Sequence, residues 1–318
     1  MYTPTIEWVK VGENGKTDVA RVAHEPVLIE EILFWLRCKP GGVYVDCTIG
    51  YAGLAIRILD QSAPSGVLVG IDRDRDALDA ARHRLATAES RARLHHGNFS
   101  DLKSVVSQFG FSRVDGVVFD LGVSSPQLDR ADRGFSFRED GPLDMRMDRA
   151  EGRTAADLVR ELPESELADV LYHLGEERYS RRIARAIVQA RREASIETTG
   201  RLAAIVERAV PGFYRHGRIH CATRTFQALR IAVNRELEVL EPALRDAVDI
   251  LAPGGRVCAV SFHSLEDRIV KTTFRALASG PDASLQILTK KPVMASEVEC
   301  CRNPRSRSAK LRVGERLS

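Results

Sequence analysis

From residue 24 onward the chain alternates between two hydrophobic rhythms. In "HEPVLIEEILFWL" (24–36), Val27, Leu28, Ile32 and Trp35 fall at near-helical spacing, which predicts a first helix with one apolar stripe. "GGVYVDCTIGYAG" (41–53) changes to a β-branched run that ends at Asp46 and enters a glycine-containing turn, and "LAIRILDQ" then reads as a helix. The alternation repeats: a strand "GVLVGID" (66–72), a helix from about Arg75 to Ala88, a short strand around Arg93–His95, a turn "HGNFSDL", another helix, and a strand "DGVVFDL" (115–121). The strands are apolar at successive positions, as strands covered on both faces are, so the pattern predicts an α/β domain with a mostly parallel sheet.

The rhythm breaks after residue 129. A polar loop, "RADRGFSFREDGPLDMRMD", is followed by helical sequence. Pro163 opens a segment with Leu167, Val170, Leu171 and Leu174 at i, i+3, i+4 and i+7, and Gly175 stops it. "SRRIARAIVQARRE" (180–193) is a second helix, with Ser180 as its expected cap. "RTFQALRIAVNRELEVLEPALRDAVDIL" supplies one or two more helices, "GGRVCAVSFH" (254–263) a strand after a Pro-Gly-Gly turn, and "SAKLRV" (308–313) an expected edge strand. The division read from this is a loose polar segment 1–22, a first catalytic part 23–129, an inserted helical domain for substrate 130–215, and a second catalytic part 216–318.

Charge sharpens that division. The net charge is only +3, but His173–Arg230 carries twelve arginines against five glutamates, a local +7 that leaves the remainder near −4. A basic face of this kind suits an anionic partner. The six cysteines (38, 47, 221, 258, 300 and 301) form no Cys-x-x-Cys pair, so neither a zinc site nor a disulfide framework is expected, and no metal is assigned. No apolar run approaches 18 residues and the first residues lack a basic segment followed by an apolar one; no membrane segment is expected and the setting is read as cytoplasmic. A homodimer is left open.

Candidate chemistry sits at strand ends. Gly50 and Gly53 follow the strand that ends in Asp46 and open a helix, a layout that lets a ligand approach backbone N–H groups. Asp72 closes the second strand, where a carboxylate can accept both hydroxyls of a ribose. Phe99 follows the third strand and could face an adenine; Asp120 ends the fourth. In open α/β sheets these ends share one rim. The ribose carboxylate suits NAD or S-adenosylmethionine alike, but a dinucleotide fingerprint needs G-x-G-x-x-G and only Gly50-x-x-Gly53 is present, which favours S-adenosylmethionine.

With these motifs the chain resembles the ribosomal RNA small-subunit methyltransferase H family. The likeness is carried by "HEPVL" (24–28), "GIDRD" (70–74), "FDLGVSSPQLD" (119–129), "RGFSFREDGPLDMRMD" (133–148), "ATRTFQALRIAVNREL" (222–237) and "SFHSLEDRIVK" (261–271). The resemblance implies a Rossmann-like fold that uses S-adenosylmethionine to methylate the exocyclic N4 amine of a cytidine in 16S rRNA of the small ribosomal subunit. Carried over by position, it implies cofactor contacts at Ala52, Gly53, Leu54, Asp72, Phe99, Asp120 and Gln127. Ala52 and Leu54 stand where the family has a glycine and a histidine, so position 54 is left with backbone contacts, and Cys221 stands where it usually has proline.

A cytosine amine is a weak nucleophile because its lone pair is delocalised into the ring. It needs acceptors that hold its N–H bonds, which Asp120, Ser124 and Ser125 offer. Methylation at carbon 5 would need a thiolate, usually from a Pro-Cys pair, and the chain has none. A base buried in a duplex cannot reach a strand-end crevice, so the target is single-stranded or flipped out. Phosphate contacts are expected from Arg181, Arg182, Arg185, Arg191 and Arg192, from "FYRHGRIH" (213–220) and from the tail "RNPRSRSAKLRVGER". Arg133 and Phe135 of the "RGFSF" lid, Arg224 and His263 are assigned to substrate. Two other readings remain: an NAD-dependent oxidoreductase, and a non-catalytic RNA-binding or assembly module on a methyltransferase fold.

Overall fold

The computed structural model describes residues 27–217 and 219–318; the loose segment expected over 1–22 lies outside them. The strands are β1 (Val43–Asp46), β2 (Val67–Asp72), β3 (Ala92–His96), β4 (Val114–Asp120), β5 (Leu251–Ser261), β6 (Leu285–Ile287) and β7 (Lys310–Arg316). They form one sheet in the order β3-β2-β1-β4-β5-β7-β6, parallel from β3 to β5 and antiparallel at β7 and β6. The segment expected as an edge strand is therefore interior: β7 lies between β5 and β6.

The apolar runs of the strands are explained by a layer on each face. Val45, Val69, Val117 and Phe119 face α4 (Leu102–Gln108), α12 (Leu240–Ile250) and α13 (Ser264–Leu277). Tyr44, Leu68, Val118 and Val260 face α1 (Ile29–Leu36), α2 (Gly53–Gln61) and α3 (Arg75–Arg84). Successive residues of one strand point to opposite faces, so a strand buried on both sides has no polar position to spare. Each fully buried Val, Leu or Phe contributes roughly 1.5–3 kcal/mol relative to exposure, which anchors the strand ends that carry the polar groups.

Between β4 and β5 the chain leaves the sheet. α5 (Ser125–Asp129) closes the turn after β4, and α6 (Ala155–Glu161), α7 (Glu164–Gly175), α8 (Ser180–Glu193), α9 (Thr199–Ala209), α10 (Gly212–Arg215) and α11 (Thr223–Asn234) follow; α14 (Glu297–Arg302) lies near the end of the chain. The helices share a separate core that includes Leu158, Leu171, Ile187 and Leu202 and reaches Phe226 and Leu229 on α11, further along the chain than residue 215. The α8 stripe of Ile183, Ala184, Ile187 and Val188 is buried as its period requires. Ser180 is the first residue of α8 rather than its cap; Tyr179 precedes the helix and makes no side-chain cap.

The 133–148 loop is packed rather than lid-like. Gly134 adopts φ +73, and a Cβ there would lie 2.3 Å from the Pro142 carbonyl oxygen and 2.6 Å from the Asp144 nitrogen, so this turn accepts only glycine. Phe135 joins the helical core, and Phe137 lies between His220, tilted against it, and Phe226, edge-on to it, with ring centroids 4.6 and 4.8 Å away.

Candidate active site

The sheet order reverses between β1 and β4, and a cleft opens there at the carboxyl ends of the strands. Asp46 ends β1, paired in register with Gly70 and Val118, and Asp72 and Asp120 end β2 and β4. All three carboxylates line the cleft, together with Phe99 from the turn after β3 and Glu266 from the first turn of α13. Phe99 is held edge-on against Phe119, with ring centroids 5.6 Å apart.

The first loop is shaped by these carboxylates. Gly50 N–H donates to Asp72 Oδ2 at 2.8 Å and Asp74 N–H to Asp72 Oδ1 at 2.9 Å, while Thr48 N–H donates to Asp46 Oδ1 at 3.1 Å. Thr48 Oγ1 accepts the Asp120 N–H at 2.8 Å, which ties the ends of β1 and β4 together. In the turn after β4, Gln127 accepts the Ser124 N–H at 2.9 Å and donates its amide to Asp74 Oδ2 at 2.8 Å. That amide fixes the serine turn to the end of β2.

Burial sets the electrostatics. It pushes the Asp120 carboxyl up to about 8, with the nearby carboxylates of Asp46 and Glu266 adding to the shift. Burial likewise pushes Asp46 up to about 7 and Asp72 to about 6, the latter restrained by the Asp74 and Gly50 N–H groups. Glu266 behaves oppositely: burial alone would raise it, but His263, Arg230 and the Phe262 N–H together hold it below the usual carboxylate range. Asp120 Oδ1 and the Ser124 and Ser125 hydroxyls are buried without a hydrogen-bond partner. A cleft with clustered, proton-retaining carboxylates and unspent acceptors is built for a cationic ligand that donates hydrogen bonds.

Residues 21–317 match the profile of the MraW methylase family. The chain belongs to the MraW methylase family. It is 52% identical over 308 residues to the ribosomal RNA small subunit methyltransferase H of Geobacter sulfurreducens, covering 93% of this chain and 99% of that one. It is 50% identical over 313 residues to the protein of that name from Pelobacter propionicus, covering 94% and 100%, and 49% identical over 307 residues to that of Syntrophus aciditrophicus, covering 92% and 98%.

As a MraW methylase the protein is an enzyme that uses S-adenosylmethionine. The donor set fits that molecule, whose methionine end carries an ammonium and a sulfonium: Asp120 presents an unpartnered carboxylate oxygen, and Gly53 opens α2 at the cleft wall. Gly50, Gly53, Leu54, Asp72, Phe99, Asp120, Ser124, Ser125 and Gln127 all line the cleft.

The other residues singled out in the sequence are placed elsewhere. Ala52 is fully buried beneath the loop at φ +61, where it precedes α2, and does not line the cleft. Arg133 is 2% exposed; its Nη1 donates to Asp74 Oδ2 at 2.7 Å and its Nη2 to the carbonyls of Arg146 and Met147 at 3.1 Å. Phe135 is buried among the helices. Substrate contacts expected at Arg133 and Phe135 thus give way to packing, because both side chains are turned inward to hold the 133–148 loop. Arg224 donates to the Glu176 carbonyl at 2.6 Å on an exposed face, and His263 caps α13, its Nδ1 accepting the Glu266 N–H at 3.4 Å, beside but not in the cleft wall.

Three charged residues that line the cleft, Glu266, Glu236 and Arg73, were not singled out in the sequence, and a fourth, Arg305, was read there only as part of the phosphate-binding tail. Glu266 faces Asp120 and holds the Phe262 N–H at 2.8 Å. Glu236 enters the wall while paired with Arg230 at 2.9 and 2.8 Å, Arg73 reaches the Asn234 carbonyl at 2.7 Å, and Arg305 pairs with Asp129 at 3.0 Å at the mouth. Only their positions within or beside the family-like motifs hinted at this.

One trio of metal-type donors lies close together among the described residues: Glu207, His220 and Cys221. His220 Nδ1 accepts the Ala222 N–H at 3.2 Å, which puts the ring proton on Nε2, and that proton is given to Glu207 at 2.9 Å. No helix among the described residues is long and apolar enough to cross a membrane.

Proposed function

We propose that the enzyme methylates the exocyclic N4 amine of a cytidine in 16S rRNA of the small ribosomal subunit, as the names of its relatives suggest for the RNA. The observation that carries the choice of atom is the pairing of unspent acceptors with an inert thiol. Asp120 Oδ1 and the Ser124 and Ser125 hydroxyls face a cleft whose one lining cysteine among the described residues, Cys47, is held well above its ordinary pKa by burial. A thiol kept protonated cannot add to cytosine carbon 6, as transfer to carbon 5 requires.

S-adenosylmethionine supplies an electrophilic methyl group. On the protein side, Asp72 and Phe99 bound the adenosyl end, Asp120 and the loop from Gly50 to Leu54 the methionine end, and Gln127 keeps the serine turn in place. Asp120, Ser124 and Ser125 would accept the amine N–H bonds and orient the nitrogen; as the N–C bond forms the methyl–sulfur bond breaks with its electron pair left on a neutral thioether sulfur, and the proton the amine loses goes to the Asp120 carboxylate. A carboxylate near pKa 8 is matched to that proton transfer at neutral pH. Arg224, through Glu176, and His263, through Glu266, connect to the residues at the start of α13 and would meet the RNA. The reading places the protein with ribosomal RNA in the cytoplasm.

The test is mass spectrometry of nucleosides from 16S rRNA of cells with and without the protein. Loss of an N4-methylated cytidine is the expected result; loss of a carbon-methylated one instead would sink the proposal. RNA bearing 5-fluorocytidine should leave no covalent adduct.

A further inference from the structure

Outside the cleft, the helical block presents an aromatic cluster in which Tyr179 and Tyr214 pack on the helical core and the outermost ring is left exposed. Phe213 on α10 is 70% exposed, and the Arg178 guanidinium lies 5.8 Å from its ring centre. The same guanidinium sits 4.9 Å from the Tyr179 ring and 4.7 Å from the Tyr214 ring. These rings are fixed from beneath: the fully buried Glu177 accepts the Tyr214 hydroxyl at 2.7 Å and the Tyr179 N–H at 2.8 Å. An arginine shared among three rings over a buried carboxylate is pre-ordered, and it leaves one face of Phe213 open.

The surface is tied to the cleft through Glu176. Its carboxylate accepts the Ser264 hydroxyl at 2.5 Å and Arg268 at 3.0 Å, and Ser264 starts α13 two residues after Phe262 of the cleft wall. Arg178 is two residues from Glu176, at most about 7 Å of chain. Arg181 and Arg182, exposed in the first turn of α8, have no carboxylate partner among the described residues, whereas Arg185 pairs with Glu164 and Arg191 is spent on the Val159 and Leu162 carbonyls. An open ring, a stacked guanidinium and adjacent unpaired cations are what a single strand needs: a face for a base and charges for its phosphates.

We propose that Phe213, backed by Arg178, stacks on an unpaired base of the substrate RNA next to the nucleotide that enters the cleft, with Arg181 and Arg182 on the adjoining phosphates. The proposal rests on the rRNA reading above and adds the residue that grips the strand. It selects unpaired RNA, since a base inside a duplex has no free face.

The experiment measures binding of a single-stranded 16S rRNA fragment, its methylation, and S-adenosylmethionine affinity in F213A, F213L and F213W, with F34A as the control. Phe34 is 71% exposed on α1, beside Trp35, whose carbonyl accepts from Arg256 in the middle of β5. F213A should weaken RNA binding and raise the RNA KM by about 5- to 150-fold, the range for loss of one stacked base. F213W should restore binding and F213L should not, while S-adenosylmethionine affinity stays at the wild-type value in all. Unchanged RNA binding in F213A, or rescue by F213L, would overturn the platform, the latter pointing to an apolar protein contact instead. RNA binding that depends on Phe213 without methyl transfer by the wild type would overturn the rRNA-methylation reading and leave the platform standing.

Discussion

Asp72 receives the N–H of Gly50 at 2.8 Å, so the carboxylate proposed to hold a ribose also holds the first loop in shape. One side chain thereby joins two tasks. Replacing it with alanine frees both the Gly50 and Asp74 N–H groups and should weaken S-adenosylmethionine binding by about 10- to 150-fold, the range for a hydrogen bond to a charged group. Isothermal calorimetry checks this; wild-type affinity in Asp72→Ala would remove Asp72 from the site.

Asp120 makes a sharper test because its role depends on charge. Asp120→Asn keeps the shape but cannot carry charge or take up a proton, and turns one acceptor oxygen into a donor; turnover should fall by about 10²–10³-fold, as when an enzyme loses a group aimed at developing charge. Single-turnover methylation with saturating cofactor reads the effect. A fall confined to cofactor affinity would assign Asp120 to binding alone.

The raised carboxylates also set a pH dependence of stability. Asp120 at about 8 and Asp46 at about 7 lie above the ordinary 3.8, so between pH 4 and pH 8 the folded state holds protons that the unfolded state has released. Stability therefore drops as pH rises through that window, opposite to the trend of a salt-bridged carboxylate. The ligand-free protein should melt at progressively lower temperature from pH 5 to pH 8, less steeply in Asp120→Asn. A cationic ligand prefers the ionised carboxylates, so S-adenosylmethionine should bind more tightly as pH rises to about 8 and level off above it. An Asp120→Asn protein with the wild-type slope would show that other groups govern the window.

Glu266 modulates that behaviour. It is held charged in the interior and raises Asp120, so Glu266→Gln should move the acid limb of the methylation pH profile to lower pH. An unmoved limb would mean that the two carboxylates do not communicate.

Arg133 is expected to matter for stability rather than for RNA. It forms a buried pair with Asp74, and breaking such a pair costs about 3–5 kcal/mol. Arg133→Ala should lower the melting temperature by roughly 4–8 °C in a chain of this size, while whatever fraction stays folded keeps its RNA affinity. A wild-type melting temperature with weakened RNA binding would return Arg133 to the substrate.

Much of the sheet was legible in the sequence because strands covered on two faces write continuous apolar runs ending in Asp46, Asp72 and Asp120. The cleft followed from those ends, as parallel strands deliver their termini to one rim. The position of β7 was not legible: "SAKLRV" says nothing about which strands flank it, since antiparallel insertion beside β5 is decided by contacts far apart in the chain. Arg133 and Phe135 misled for a related reason. Charge and aromaticity in a glycine loop suggest a mobile, exposed segment, and only the packing against Asp74 and the helices reveals that they point inward.

Glu176 has one more implication. It ends α7 at φ 49, accepts from both Ser264 and Arg268 of α13, and lends its carbonyl to Arg224 of α11, so three elements meet in a single residue. Opening the helical block away from the sheet at that corner would break the bonds to Ser264 and Arg268 together, while the Arg224 bond, internal to the block, holds Glu176 in place. The enzyme then offers its substrate a stiff mould rather than a closing hand, and the entropy of fitting falls on the RNA: a strand already bent into shape by its own surroundings is a better substrate than a slack one.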